Sequence, residues 1–240
     1  MRPESVAGAR PVGLRLEEAL LVEACESLLL PSVDRYEAIG RDLIERAWSV
    51  QPGYFDPVLV DRLRAEILVL HENDELSRAG VGRGGAFKID DGVRRDTTRW
   101  LTRDTLARCR YLDQMEALRI ELNRRLFLGL FEYESHFALY EKGAFYRRHY
   151  DSFQGDASRI VSSVAYLNAD WKEAEGGFLN IYRADTRTPE VRVKPEAGTL
   201  VVFLSREVPH EVEVTHRRRA SIAGWFRCNN GIRAAADPTP

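Results

Sequence analysis

Tyr133-Glu134-Ser135-His136-Phe137-Ala138-Leu139-Tyr140, followed after a Lys142-Gly143 turn by Tyr146-Arg147-Arg148-His149-Tyr150-Asp151, decides the fold. Both segments are rich in aromatic side chains, and each is bounded by turn formers, the signature of short strands. Runs of the same kind recur to the end of the chain. They predict strands over 133–140, 145–151, 159–167, 178–183, 190–194, 199–204, 211–214 and 219–227. Upstream, the pattern is helical. Leu14 to Leu30 carries apolar residues at helical spacing, and Arg35 to Arg46 does so more weakly. Ala47-Trp48-Ser49-Val50 reads as a short strand ending at Pro52-Gly53. Asp56-Pro57 is a helix start, with Leu59, Leu63, Ile67 and Leu70 as its buried stripe. Tyr111 to Leu128 is the clearest helix, with Met115, Leu118, Leu122 and Leu126 on one face. The fold class is α+β and mainly β: a double-stranded β-helix, or jelly-roll, barrel buttressed by N-terminal helices. Residues 1–45 are expected to form a tail and helical extension, 46–230 the barrel domain and 231–240 a C-terminal tail.

Composition narrows the classes of function. The chain has 240 residues and a net charge of −2, which marks it as neither a nucleic-acid nor a membrane binder. Only four of its 35 basic residues are lysines, so any cationic clamp is arginine on numbers alone. The three cysteines, Cys25, Cys109 and Cys228, have no metal-ligand spacing and read as reduced buried thiols. With no apolar run of membrane length, the expected location is cytoplasmic.

The chemistry is concentrated in the last hundred residues. Alternation along one strand would point His149 and Asp151 into the same space, with Tyr150 facing away. His210 follows a proline at a strand start in Val208-Pro209-His210-Glu211-Val212. Two histidines and one carboxylate form the facial triad that suits a non-haem Fe(II). His216 is the rival third ligand, but its arginine neighbours make a poor place for a dication. His71 and His136, the latter on an outer strand, read as structural or solvated. Within Arg217-Arg218-Arg219, the first two residues read as a solvated turn. Arg219 instead shares a strand face with Ser221, Ala223 and Trp225, where its planar fork can grip a carboxylate. Tyr166 could donate a hydrogen bond to that carboxylate or simply fill the core. The glycine-rich run at Gly80, Gly82, Gly84 and Gly85, followed by charged residues, suits either a lid or a solvated surface loop.

Five segments together resemble the prolyl 4-hydroxylase family. They are His149-Tyr150-Asp151, Ala165-Tyr166-Leu167-Asn168-Ala169-Asp170-Trp171, Glu175-Gly176-Gly177-Phe178-Leu179, Pro209-His210-Glu211-Val212 and the later Arg219. Val93-Arg94-Arg95-Asp96-Thr97-Thr98-Arg99-Trp100 is similar to the loop that covers the peptide in the oxygen-sensing members and their bacterial relatives. The resemblance covers roughly residues 46–228. It implies that His149, Asp151 and His210 hold Fe(II), and that Arg219 pairs with the distal carboxylate of 2-oxoglutarate, with Tyr166, Tyr140 and Ser221. Leu179 and Trp225 would line the same pocket, and Arg94, Arg95, Asp96 and Trp100 would belong to the substrate loop. O₂ would be the second co-substrate and ascorbate a supporting reductant. Ala223 departs from the threonine of the oxygen-sensing enzymes. The implied reaction is C4 hydroxylation of a prolyl residue in a protein, with a translation-factor loop as one candidate substrate. Nucleic acid and membrane are not expected partners, and oligomeric state stays open. Two rival readings remain: the same chemistry on a free amino acid or other small molecule, and a catalytically silent binding barrel.

Overall fold

The computed structural model describes residues 33–80, 88–152 and 158–229. The helix expected over Leu14–Leu30, Cys25, and Gly82, Gly84 and Gly85 lie outside the described residues.

Among the described residues three α-helices, α1 (Val33–Arg46), α2 (Pro57–Glu72) and α3 (Leu106–Leu126), precede most of the strands. A major antiparallel sheet contains β1 (Trp48–Gln51), β2 (Ser77–Arg78), β3 (Asp96–Trp100), β4 (Leu130–Tyr140), β6 (Arg159–Tyr166), β9 (Leu200–Leu204) and β11 (Arg219–Cys228). Its order is β1-β9-β6-β11-β4-β3-β2. A minor sheet has the order β5-β10-β7-β8, from β5 (Tyr146–His149), β7 (Leu179–Ile181), β8 (Val191–Val193) and β10 (His210–Val212). The two sheets are the jelly roll, and all eight strands expected after Tyr133 are present.

Period-two alternation sorts the major sheet into two cores. Phe137, Leu139, Val161, Ala165, Val202, Ala220, Ile222 and Phe226 face the helices and join Ile39, Leu63, Ile67, Tyr111, Met115 and Leu118. The opposite phase, with Ala138, Tyr140, Tyr166, Val201 and Phe203, meets Leu179, Ile181, Val193 and Val212 of the minor sheet. Asp56 caps α2 as its sequence requires, its carboxylate accepting from the amides of Val58 and Leu59 at 2.8 and 3.2 Å. Helix α3 starts five residues before its expected N-terminus, at a Thr105 cap, and ends where Phe127 adopts φ +54°. Tyr36, Ile39 and Leu43 of α1 lie in the helix-side core. The stretch from Val33 therefore belongs with the barrel's buttress, not with an extension ending at residue 45.

Two expectations need correction. Strand β3 lies where the sequence reads as charged loop. Thr97, Thr98 and Trp100 suit a strand, and Asp96 can enter it buried because the Arg94 guanidinium meets both its carboxylate oxygens, at 2.7 and 2.6 Å. Cys109 and Cys228 are half-buried and not buried as expected, since they sit near the end of an element and not in a core.

Candidate active site

The inward face of the major sheet is ruled into rows by its register. Asp96, Tyr140 and Arg219 form the first, and Thr98, Ala138, Ser221 and Tyr166 the second. Trp100, His136, Ala223 and Val164 form the third, and Glu134, Trp225, Ser162 and Phe203 the fourth. Between this face and the minor sheet lies a cleft of about 1210 Å³, lined by most of these residues together with His149, Asp151, Leu179 and His210.

His149, Asp151 and His210 converge, with their ligand atoms all within 4.8 Å of one another. His149 ends β5 and pairs in register with His210 at the start of β10, so two neighbouring strand ends bring the imidazoles together. Asp151 is in the bend after β5, not on the strand, and Tyr150 lines the cleft instead of turning away. The Asp151 carboxylate lies 3.4 Å from His149 Nε2 and 3.8 Å from His210 Nε2. Each imidazole donates from Nδ1 to a backbone carbonyl, His149 to Arg147 at 2.8 Å and His210 to Val208 at 3.0 Å. Both Nε2 lone pairs are thereby left for a metal. Tyr146 stacks on His149 at 3.6 Å between ring centroids, and Phe203 packs against His210 at 4.5 Å. Burial, reinforced by His149, holds His210 neutral by pushing it down to about 4. Burial works against ionisation of Asp151 too, but the two imidazoles and the Ser162 hydroxyl outweigh it and hold the carboxyl well below the usual range. Two oriented imidazoles beside an ionised carboxylate are a donor set that fits Fe(II).

Ser162 was not legible as a site residue. Its hydroxyl donates to Asp151 Oδ2 at 2.7 Å and is itself 2.9 Å from Ser205 Oγ. That bond fixes the carboxylate's rotation. Ser162→Ala is expected to weaken Fe(II) binding about 10-fold, the lower end for loss of a bond that orients a ligand. Titration with Fe(II) under anaerobic conditions checks this, and unchanged affinity would show that the bond orients nothing.

Arg219 is the largest fully buried side chain, 1% exposed. Its Nε donates to the Gly177 carbonyl at 2.9 Å and Nη1 to Ser221 Oγ at 3.2 Å. Its guanidinium faces the rings of Tyr140 and Tyr166 at 4.9 and 5.1 Å. No carboxylate among the described residues pairs with it. The glycines of Glu175-Gly176-Gly177 explain how the carbonyl reaches this place. Gly176 and Gly177 have φ +61° and +67°, and a Cβ on Gly177 would lie 3.2 Å from Arg219 Cδ. Asn168 anchors the start of β11, accepting from the Ala220 amide at 2.7 Å. Arg217 and Arg218 turn outward to pair with Glu175 at 3.1 Å and Glu141 at 2.7 Å. His216 is exposed and lies outside the triad. The buried Tyr166 hydroxyl has no hydrogen-bond partner among the described residues, and burial pushes it up to about 12, so it is a donor.

Trp225 lines the cleft but not beside Arg219. It lies six residues along β11, roughly 20 Å at strand rise, against Trp100, His136 and the Arg159 guanidinium. His136 is neither solvated nor peripheral. It is 6% exposed and shares the cleft phase with Ala138 and Tyr140, a signal present in the sequence. Of the substrate-loop residues, Arg94 and Asp96 form the buried pair described above, beneath the Tyr146 ring. Trp100 is half-exposed at the cleft, and Arg95 is exposed beside Phe145.

A family model for the 2OG-Fe(II) oxygenase superfamily matches residues 135–227. A Pseudomonas putida prolyl-4-hydroxylase of known structure is 43% identical, with a TM-score of 0.74 over 80% of this chain and 98% of that one. The chain belongs to the 2OG-Fe(II) oxygenase superfamily. Enzymes of this superfamily use Fe(II), 2-oxoglutarate and O₂. A Trichoplax adhaerens prolyl hydroxylase, solved with a hypoxia inducible factor oxygen degradation domain peptide fragment, shares the fold. Its TM-score is 0.74 at 20% identity, over 90% of this chain and 96% of that one. A prolyl 3,4-dihydroxylase OGFOD1 of Ostreococcus tauri is 33% identical over 82 residues, 29% of this oxygenase and 16% of the relative's length. Among the described residues no helix is long and apolar enough to cross a membrane.

Proposed function

We propose that this oxygenase hydroxylates a prolyl residue, at C4, within a protein substrate. The observation that carries the reading is a complete triad and a buried arginine with no carboxylate partner among the described residues, in one cleft of a chain 43% identical to a prolyl-4-hydroxylase. His149, Asp151 and His210 would hold Fe(II) through two Nε2 atoms and one carboxylate oxygen. Arg219 would receive the distal carboxylate of 2-oxoglutarate. Tyr166 would donate its unpartnered hydroxyl there, and Tyr140, Ser221 and Leu179 would shape the pocket. When bound, Fe(II) with 2-oxoglutarate and O₂ supplies the oxidation, in which the co-substrate leaves as succinate and CO₂ and one oxygen atom enters a substrate C–H bond. The chain's own part is to orient both molecules and exclude water. Trp100 and the ring of Trp225 offer an apolar wall for the pyrrolidine ring, away from Arg219 on the same sheet face. The Arg94–Asp96 pair would hold the segment leading to Trp100. The half-buried thiol of Cys109 suits a reducing compartment, which supports a cytoplasmic location.

Incubation of the Fe(II)-loaded enzyme with cytosolic lysate and 2-oxoglutarate is expected to add one oxygen to a proline, detected by peptide mass spectrometry. Oxygen added only to a small metabolite would overturn the protein-substrate reading.

A further inference from the structure

Two polar atoms in the cleft are unaccounted for by metal or co-substrate. Trp225 is 8% exposed and lines the cleft, yet its buried indole Nε1–H has no hydrogen-bond partner among the described residues. Leaving such a donor unmet is unfavourable, so a partner supplied from the cleft would recover stabilisation the free protein lacks. The second atom belongs to His136, whose ring centroid is 5.4 Å from that of Trp225. Its Nδ1 lies 3.0 Å from the Phe137 carbonyl, which can only accept, so Nδ1 carries the proton. Burial keeps the imidazole neutral by pushing it down to about 4. Nε2 is therefore an acceptor, and it has no partner among the described residues. Trp100 closes the other side, edge-on to His136 at 5.3 Å and 90°.

One donor and one acceptor on adjacent rings, walled by indole, match the N–H and C=O that one extended backbone residue presents on the same side. We propose that Trp225 and His136 read the N–H and C=O of one such extended residue of the substrate chain, Trp225 Nε1–H donating to its carbonyl and its N–H donating to His136 Nε2. A prolyl residue has no N–H, so the N–H that is read belongs to a residue flanking the target. The pair makes the site selective for proline within a chain. Free proline offers a carboxylate and an ammonium in place of these groups, and both are costly to strip of water here. This inference rests on the protein-substrate reading and adds the positioning role of His136.

The test uses the hydroxylated peptide found in lysate, resynthesised with each flanking amide in turn replaced by an ester, which removes one N–H. One ester position is expected to raise KM about 10-fold with wild-type enzyme, roughly the value of one hydrogen bond. His136→Phe should raise KM for the parent peptide by a similar factor, and in that variant the same ester should cost less than about 2-fold. His136→Gln, which keeps an acceptor, should regain part of the loss. Thermal melting of each variant confirms that it is folded. If the ester penalty is as large in His136→Phe as in wild type, His136 is structural and the inference fails while prolyl hydroxylation stands. If no lysate peptide gains oxygen at proline, the protein-substrate reading fails, and this inference falls with it.

Discussion

His210→Ala is expected to lower Fe(II)-dependent 2-oxoglutarate turnover by more than about 100-fold. Loss of a bond that merely orients a ligand typically costs 10–100-fold in metal affinity or activity, and here a donor atom itself is removed. His210 sits at the first residue of β10, its ring fixed by the Val208 carbonyl and packed on Phe203. No other histidine can take over. His216 is exposed in a turn, and His136 is committed to the Phe137 carbonyl across the sheet face. The variant should fold, because deleting a neutral imidazole leaves no buried charge behind, and its cost should lie in the ordinary range of about 0.5–3 kcal/mol. Co(II) absorption titrations separate loss of metal from loss of chemistry. Near wild-type turnover in His210→Ala, with a loss in His216→Ala instead, would overturn the triad.

Legibility of the fold followed local signals. Strand alternation after Tyr133 is carried by apolar residues that must be buried, so its eight segments were readable. Helix α2 was readable because Asp56-Pro57 is a physical cap. Strand β3 was not, because Asp96 and Arg94 read as solvated charges until tertiary pairing buries them together. The triad and Arg219 were readable from spacing and family resemblance. Ser162 was not, since a serine on a strand looks the same whether or not it meets a carboxylate from a distant bend. His136 carried a usable signal, its phase relative to Tyr140, but a single histidine on a strand gives no hint of the tryptophans on neighbouring strands that enclose it. Trp225 lines the same cleft as Arg219, but six residues further along β11. Strand phase fixes the side of a sheet, while distance along it depends on which row the ligand occupies.

Arg219→Ala is expected to raise the 2-oxoglutarate concentration needed for half-maximal turnover by about 30-fold or more. Truncating one partner of a buried guanidinium–carboxylate pair costs about 2–5 kcal/mol, and each decade of affinity corresponds to roughly 1.4 kcal/mol. The residue is 1% exposed, and two of its nitrogens are held by Gly177 and Ser221. The fork is thus oriented before any ligand arrives, and little entropy remains to be lost on binding. Lysine cannot reproduce this arrangement, because one ammonium on a flexible stem must satisfy both fixed acceptors and the carboxylate. Arg219→Lys should therefore fall between wild type and alanine. Arg217→Ala and Arg218→Ala remove surface pairs with Glu175 and Glu141, for which exposed ion pairs predict about 0–1 kcal/mol. Their effect on 2-oxoglutarate should stay within a few-fold. Steady-state kinetics with varied 2-oxoglutarate at saturating Fe(II) decide the matter. A loss in Arg217→Ala equal to that in Arg219→Ala would mean that the carboxylate is held at the surface turn and not in the barrel.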